Sequence, residues 1–293
     1  MHKVLMLDLG DTLVHANQLY PGVKDALQAF QEFNASDSQP LESCLVSDYQ
    51  ILGSDASQEE LDSLFDEYIS LLAAFEIRPY FEPVEKRVTL SAHAGVYKPD
   101  RRIFEKALQR LGTTAQLREC AFITENIEHV DAARAIGIDA LRFDPEGSGN
   151  FSDWSEAPLL IARRIADDNA DNVEIALSAY MRAIHQAELL QVEQIGKDRI
   201  RARLRSPSRL SDSRLGELDG IYVGVPLQAD IKLSRNGTVA TVNIASPSPT
   251  DMEEIVQQVM TLKEHGQIGP VASHNIEVDA LGHRHLLRKR FEH

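Results

Sequence analysis

Four polar residues in the first half of the chain fall where a strand would give way to a loop, and their types suit phosphoryl chemistry. Asp8 follows the apolar run Val4–Leu7 and is followed by Leu9-Gly10-Asp11-Thr12-Leu13. Ser47 ends the segment LESCLVS, Lys98 stands in GVYKPDRRIF, and Glu125 follows ECAFIT. A carboxylate at a loop tip can act as a nucleophile on a phosphoryl group. A hydroxyl and an ammonium group can hold the non-bridging oxygens and offset their charge. A second acid, with the nucleophile and a backbone carbonyl, offers the hard oxygen ligands that Mg²⁺ takes. Each residue also has an ordinary reading: Asp after a strand often only caps a turn, Ser commonly ends a strand, and Lys beside Pro is commonly solvated. Their order and shared strand-end context point to a site.

The elements that must position them alternate. KVLMLDL, LESCLVS, KRVTLS, ECAFIT and IDALRFD read as short strands. PGVKDALQAFQEF predicts a helix with Pro21 just inside its start, and SQEELDSLFDEYISLLAAF one with an acidic first turn. DRRIFEKALQRLG predicts a helix opened by Pro99 and closed by Gly112, and HVDAARAIG a shorter one. Strand–helix alternation over ~145 residues predicts an α/β, doubly wound parallel sheet with helices on both faces. Such sheets bind ligands beyond the carboxyl ends of their strands.

The pattern breaks at DPEGSGNFSDWSE, whose turn formers predict a linker. SEAPLLIARRIADD reads as a helix, and VEIALSAYMRAIHQAELL is ambiguous between helix and strand. The signals then turn hairpin-like: LLQVEQI-GKD-RIRARLR, DIKLSR-NG-TVATVNI with its Asn-Gly turn, and HNIEVDALGHRHLLRKRF, with one helix in TDMEEIVQQVMTLKEH. The expected organisation is a core over 1–146, a linker and helix over 147–170, and a C-terminal α+β domain over 171–293. The length, 293 residues, accommodates two domains.

Charge divides the same way. Residues 1–150 hold 13 Lys/Arg against 25 Asp/Glu, and the remainder 17 against 20. A nucleic-acid partner is therefore not expected for the first half. No apolar run approaches the ~18 residues of a membrane span, and the N-terminal run is too short for a signal-peptide core. Cys44 and Cys120 lie in apolar stretches and form no motif, which predicts buried free thiols and a cytoplasmic protein.

The string LDLGDTLV resembles motif I of the haloacid dehalogenase (HAD) superfamily of hydrolases. YFEPVEKRVTLSAHAGVYKPDRRIFEKAL is similar to that family's approach to its motif III lysine, and AFITENIEHVDAARAIGIDALRF to its motif IV segment. The resemblance covers about residues 3–144 and implies a Rossmann-like core. It also implies Asp8 as nucleophile, Ser47 as the motif II hydroxyl, Lys98 as the motif III lysine, and Mg²⁺ held by Asp8, the Gly10 carbonyl and Glu125. PGVKDAL begins only ten residues after Asp11, leaving no room for a cap there. This resembles the capless branch, whose open sites often accept large substrates; the expected partner is a phosphorylated small molecule or macromolecule, and the C-terminal domain is the alternative lid.

Three positions depart from the family pattern. Gly10 stands where its phosphatases carry a second Asp as general acid/base, a group contributing roughly 10²–10⁴-fold in rate; Asp11, one residue on, is the candidate substitute. Glu125 replaces the usual Asp, and His129 replaces a supporting Asp or Asn, with Glu128 and Asp131 as the nearby acids. The alternative function is thus a non-catalytic, phosphate- or protein-binding module.

In the second half, RIRARLR puts Arg199, Arg201, Arg203 and Arg205 on one face of a strand, because strand side chains alternate. That face can bind anions, or it can be the solvated side of an antiparallel sheet. His283 and His285 could share a metal, but two residues do not make a ligand set.

Overall fold

Strand residues that are apolar on both faces need cover on both faces. All four side chains of β1 (Val4–Leu7) are buried, and so are all five of the fourth strand described below. The computed structural model describes residues 3–35, 39–53, 56–165, 170–234, 238–268, 273–279 and 283–288. In it β1, β2 (Glu42–Ser47), β3 (Val88–Leu90), β4 (Cys120–Thr124) and β5 (Asp139–Arg142) form a wholly parallel sheet in the order β3-β2-β1-β4-β5. Chain order reverses direction between β1 and β4. This is the topological switch point of the doubly wound α/β fold, where ligands bind.

The chain divides into two compact units, one built from residues up to Ala183 and the other from Ile184 onward, leaving aside residues 236–238. In the first unit the helices are α1 (Val23–Glu32), α2 (Gln58–Ala74), α3 (Arg101–Leu111), α4 (Ile127–Ala135), α5 (Ala157–Ile165) and α6 (Ala170–His185). Val4, Met6, Cys44, Val46, Cys120, Phe122 and Ala140 project from one sheet face and pack with Ile103, Phe104, Ala107, Val130 and Ala133 of α3 and α4. The alternate residues Leu5, Leu7, Leu45, Ile123 and Leu141 are equally buried, and α1 lies against β2 and α5. Cys44 and Cys120 are free and buried, as expected. No helix among the described residues is long and apolar enough to cross a membrane.

Several boundaries differ from the sequence reading for local reasons. Pro21 is not inside α1: Gly22, at φ 80°, is its N-cap and the helix starts at Val23. Pro99 likewise precedes α3, whose first residue Arg101 is capped by the Asp100 carboxylate accepting from Arg102 N. Gly112 closes α3 in the left-handed conformation, as expected. Only Val88–Leu90 of KRVTLS is strand, because Lys86 and Arg87 end one short helix and Ser91 opens another. The α4 helix starts two residues early, since Asn126 caps the backbone amides of Glu128 and His129.

The segment expected as a linker is folded into the first unit. Asn150 exchanges two hydrogen bonds with Arg142, its N donating to Arg142 O (2.7 Å) and its Oδ1 accepting from Arg142 N (2.8 Å). Gly149 sits so close that a Cβ there would lie 2.6 Å from Arg142 O. Phe151 and Trp154 are buried against Phe143, and the Trp154 indole donates to Thr12 O at 2.8 Å. Gly22 approaches the same segment, with a notional Cβ 2.9 Å from Ser155 N. Turn formers here build a tight return rather than a tether, because the aromatics among them need a core. The ambiguous VEIALSAYMRAIH stretch is the helix α6, and its residues up to Ala183 belong to the first unit.

The second unit is a mixed sheet with one long helix. β6 (Glu188–Gly196), β7 (Arg199–Arg209), β8 (Tyr222–Leu233), β9 (Val239–Ile244), β10 (His274–Val278) and β11 (Arg284–Arg288) run in the order β6-β7-β8-β11-β10, with β9 also on β8. All pairs are antiparallel except β8 with β11, which meet at Tyr222 and His285. Helix α7 (Pro249–Glu264) opens with a Ser248–Asp251 capping box and packs Val256 and Val259 on Leu215, Ile221, Val223 and Val225. The expected Asn236-Gly237 turn lies outside the described residues.

Trp154→Ala should lower stability by about 3–5 kcal/mol, the usual loss for a buried aromatic, measured by urea unfolding. A chain cut after residue 146 should lose cooperative unfolding.

Candidate functional site

The end of β1 and the end of β4 place two acids side by side. Asp8 N donates to Ile123 O at 3.0 Å, carrying the β1–β4 ladder one residue beyond the strand. The carboxylate that follows is held at both oxygens. Oδ1 accepts from Leu9 N at 2.9 Å and is ion-paired with Lys98 Nζ; Oδ2 accepts from Thr124 Oγ1 at 3.0 Å. Asp8 and Lys98 are both buried, at 5% and 6% exposure.

Lys98 is brought in by the end of β2, not by a strand of its own. Its backbone N donates to Asp48 Oδ1 (2.8 Å), and its Nζ to Val46 O (3.1 Å), while the ammonium stands 5.8 Å from the Phe122 ring centroid. The expectation that all four groups sit at strand ends therefore fails for Lys98. It reaches the crevice from the loop after the short helix Ser91–Ala94.

Glu125 follows β4 directly. Its Oε2 accepts a short hydrogen bond from Thr12 Oγ1, and its N donates to the same hydroxyl at 3.1 Å. Arg142 Nε fixes its carbonyl from β5 at 3.1 Å. Thr124 Oγ1 is 3.0 Å from Asp8 Oδ2 and 3.2 Å from Glu125 Oε2. A hydroxyl has one proton to donate, so two carboxylate oxygens compete for it. Such an arrangement of anionic oxygens favours a cation.

Ser47 is the last residue of β2 and is buried. Beside it the Tyr68 phenol of α2 is buried without a hydrogen bond of good geometry. Burial pushes its pKa up; the nearby Ser47 hydroxyl opposes that rise and the Asp8 charge adds to it. Asp8, Ser47, Lys98 and Glu125 are thus brought to one end of the sheet.

Asp11 is not bonded to Asp8. At φ 51°, it donates its N to Val14 O, and its exposed carboxylate stands 2.7 Å from His15 Nδ1. Gly10 is exposed, with nothing within 4 Å of where a Cβ would be. Tyr20 lies near both acids: burial raises its pKa, and then the charges of Asp11 and Glu125. His129 sits in the first turn of α4 with Nδ1 buried and unpartnered, while Glu128 is exposed and donates its N to Asn126 Oδ1. Thr12, Thr124, Tyr68 and Trp154 are the residues that sequence reasoning missed. Thr12 and Thr124 lay within the strings already singled out, but nothing in a hydroxyl's sequence position announces which acid it will bond.

Of the expected metal ligands, Asp8 and Glu125 supply carboxylate oxygens close enough to share one hydroxyl. Both are hard oxygen donors, the kind that Mg²⁺ takes.

The arginines of β7 belong to the second unit. Arg199, Arg201, Arg203 and Arg205 are exposed while Ile200, Ala202 and Leu204 are buried, so the period-two face exists. It is not purely basic. Arg201 pairs with Asp230 (3.4 Å) and Arg205 with Glu188 (2.7 Å), and Glu193 stands opposite Arg201 in the ladder. Mixed charges of this kind are what the solvated side of an antiparallel sheet presents.

No family model matches the chain, and no curated protein matches it. Among solved structures it is similar to an uncharacterized protein from Corynebacterium glutamicum, at 16% identity and a TM-score of 0.34, covering 49% of this chain and 86% of that one. It is also similar to the L-2-haloacid dehalogenase of Xanthobacter autotrophicus, at 14% identity and a TM-score of 0.36, covering 55% and 83% respectively.

Asp8→Ala should strand the Lys98 ammonium in the interior and cost about 3–5 kcal/mol, whereas the double change Asp8→Leu with Lys98→Met should recover most of that loss. Urea denaturation of the wild type and these two variants checks both.

Proposed function

We propose that the first unit is a hydrolase of the HAD type that cleaves phosphate monoesters through an aspartyl-phosphate on Asp8. The observation that carries this reading is the Asp8 carboxylate at the β1–β4 switch point, oriented through both oxygens with Lys98 against it and Glu125 alongside. The resemblance of LDLGDTLV and of the Lys98 and Glu125 segments to that superfamily supports it independently.

In the first step an Asp8 oxygen attacks phosphorus, the ester P–O bond breaks, and the leaving oxygen takes up a proton from solvent water. Leu9 N and the Thr124 hydroxyl hold the carboxylate in its attacking orientation, which removes part of the entropic barrier. Lys98 and the Ser47 hydroxyl hold the non-bridging oxygens. In the second step water attacks the same phosphorus, inorganic phosphate leaves, and the carboxylate is restored. Mg²⁺, when bound by Asp8, Glu125 and the Gly10 carbonyl, offsets the negative charge of the phosphoryl group. The substrate is a phosphorylated small molecule or macromolecule.

A second reading, a phosphate-binding module without turnover, is favoured by one feature. Gly10 offers no proton donor, and Asp11 is engaged with His15. The open space at Gly10 makes the two readings separable. With Mg²⁺ and a panel of phosphate esters, wild type should turn over slowly and Asp8→Asn should abolish the activity. Gly10→Asp should raise it by up to roughly 10²-fold. If wild type and Gly10→Asp are both silent while inorganic phosphate binds, the binding module is the correct reading.

A further inference from the structure

The last hairpin of the second unit carries a constellation that the first unit's chemistry does not use. β10 and β11 pair antiparallel with Glu277 opposite His285 and Val278 opposite Arg284, and Asp279 N donates to His283 O at 3.0 Å, so the register continues one pair further. Side chains directly opposite share a face, and those two apart along a strand do as well. Glu277, Asp279, His283 and His285 therefore lie on one face of the ribbon. Arg284 belongs to the other face, where its guanidinium donates to the carbonyls of Glu217 and Asp219.

The ligand atoms converge. Asp279 Oδ1 accepts from His283 N at 2.8 Å, which turns Oδ2 toward the two imidazoles. Oδ2 is 3.1 Å from His283 Nδ1 and 3.0 Å from His285 Nε2, and all three ligand atoms lie within 4.8 Å of one another. Bonds of about 2.0–2.1 Å in a tetrahedral zinc site put its ligand atoms roughly 3.3 Å apart, so two sides of the triangle already match, and the third, between the two ring nitrogens, has to draw in from a separation of up to 4.8 Å. Tyr222, from β8, packs against both rings at 5.0 and 5.1 Å between centroids and holds them in place. Among the described residues, this is the sole cluster of three or more His, Cys, Asp or Glu side chains whose ligand atoms converge in this way.

We propose that Asp279, His283 and His285 form a binding site for a divalent transition metal of the zinc type. Two imidazoles and one carboxylate match the borderline-soft preference of Zn²⁺ and disfavour Mg²⁺ and Ca²⁺, which take oxygen ligands. The side chains are accessible, at 43%, 23% and 35% exposure for His283, His285 and Asp279. A fourth position stays open to water or to the neighbouring Glu277 carboxylate.

The test uses the untagged, chelator-treated full chain, titrated calorimetrically with Zn²⁺ and followed spectroscopically with Co²⁺. Wild type should bind one Zn²⁺ per chain and give the visible Co²⁺ bands of a four-coordinate site. His283→Ala and His285→Ala should each weaken binding at least about tenfold and remove those bands, and Asp279→Asn should weaken it as well. Circular dichroism establishes that each variant remains folded; Glu254→Gln, an exposed position on α7 away from the cluster, provides a second folded comparison that keeps the site. Absence of Zn²⁺ binding by folded wild type overturns the proposal. So does binding that survives both histidine substitutions, which would make the cluster a hydrogen-bonded staple of the hairpin.

Discussion

The buried contact between Asp8 and Lys98 is the constraint around which the first unit is arranged. An ammonium and a carboxylate taken out of water each lose several kcal/mol of hydration, recovered only when geometry is good and the remaining valences are filled. The surroundings fill them. Val46 O and the Phe122 face attend the lysine, and Leu9 N and Thr124 attend the acid. Val46 and Thr124 lie at or next to the C-terminal ends of β2 and β4, Phe122 in the middle of β4, and Leu9 two residues beyond β1. The strand order β3-β2-β1-β4-β5 is what lets them meet, because it sets β2 and β4 on either side of β1.

A layer further out, the second acid depends on elements remote in sequence. Glu125 is bonded through Thr12, whose own carbonyl is held by Trp154, and its backbone oxygen is held by Arg142, which Asn150 fixes in turn. The loop carrying Asp8 to Thr12 and the loop carrying Glu125 are thus tied to each other and to the return after β5. A site held through rigid elements and their packed supports keeps its geometry better than one on free loops.

Much of this was legible in the sequence, and the parts that were not share a physical cause. The parallel sheet was readable because buried strands are written as continuous apolar runs, VLML and CAFIT among them. Asp8, Ser47 and Glu125 were readable because strand ends are punctuated by changes of residue type, whereas Lys98, which stands in a loop, was marked only by the family resemblance of the segment around it. The misplaced boundaries at Pro21 and Pro99 came from proline's preference for a helix's first turn, which does not say whether the cap stands before or after it. The linker was misread because DPEGSGNFSDWSE is rich in turn formers, yet Phe151 and Trp154 within it carry enough apolar surface to demand a core. In the second unit, the alternation of RIRARLR gave the arginine face, but not Asp230 and Glu188, which lie on other strands. Asp279 joins His283 and His285 only through the hairpin register, which a sequence does not print.

The bond from the Trp154 indole to the Thr12 carbonyl spans 142 positions. On a translating ribosome the N-terminal end emerges first, at about 5–20 residues per second, so roughly 7–30 s separate the synthesis of these two residues. Throughout that interval the nascent chain already carries Asp8 but lacks the clasp that completes its loop. Maturation of the site is in this sense post-paid in time. The N-terminal strand can find its neighbours early, while the loop behind it waits for an aromatic side chain made long afterwards.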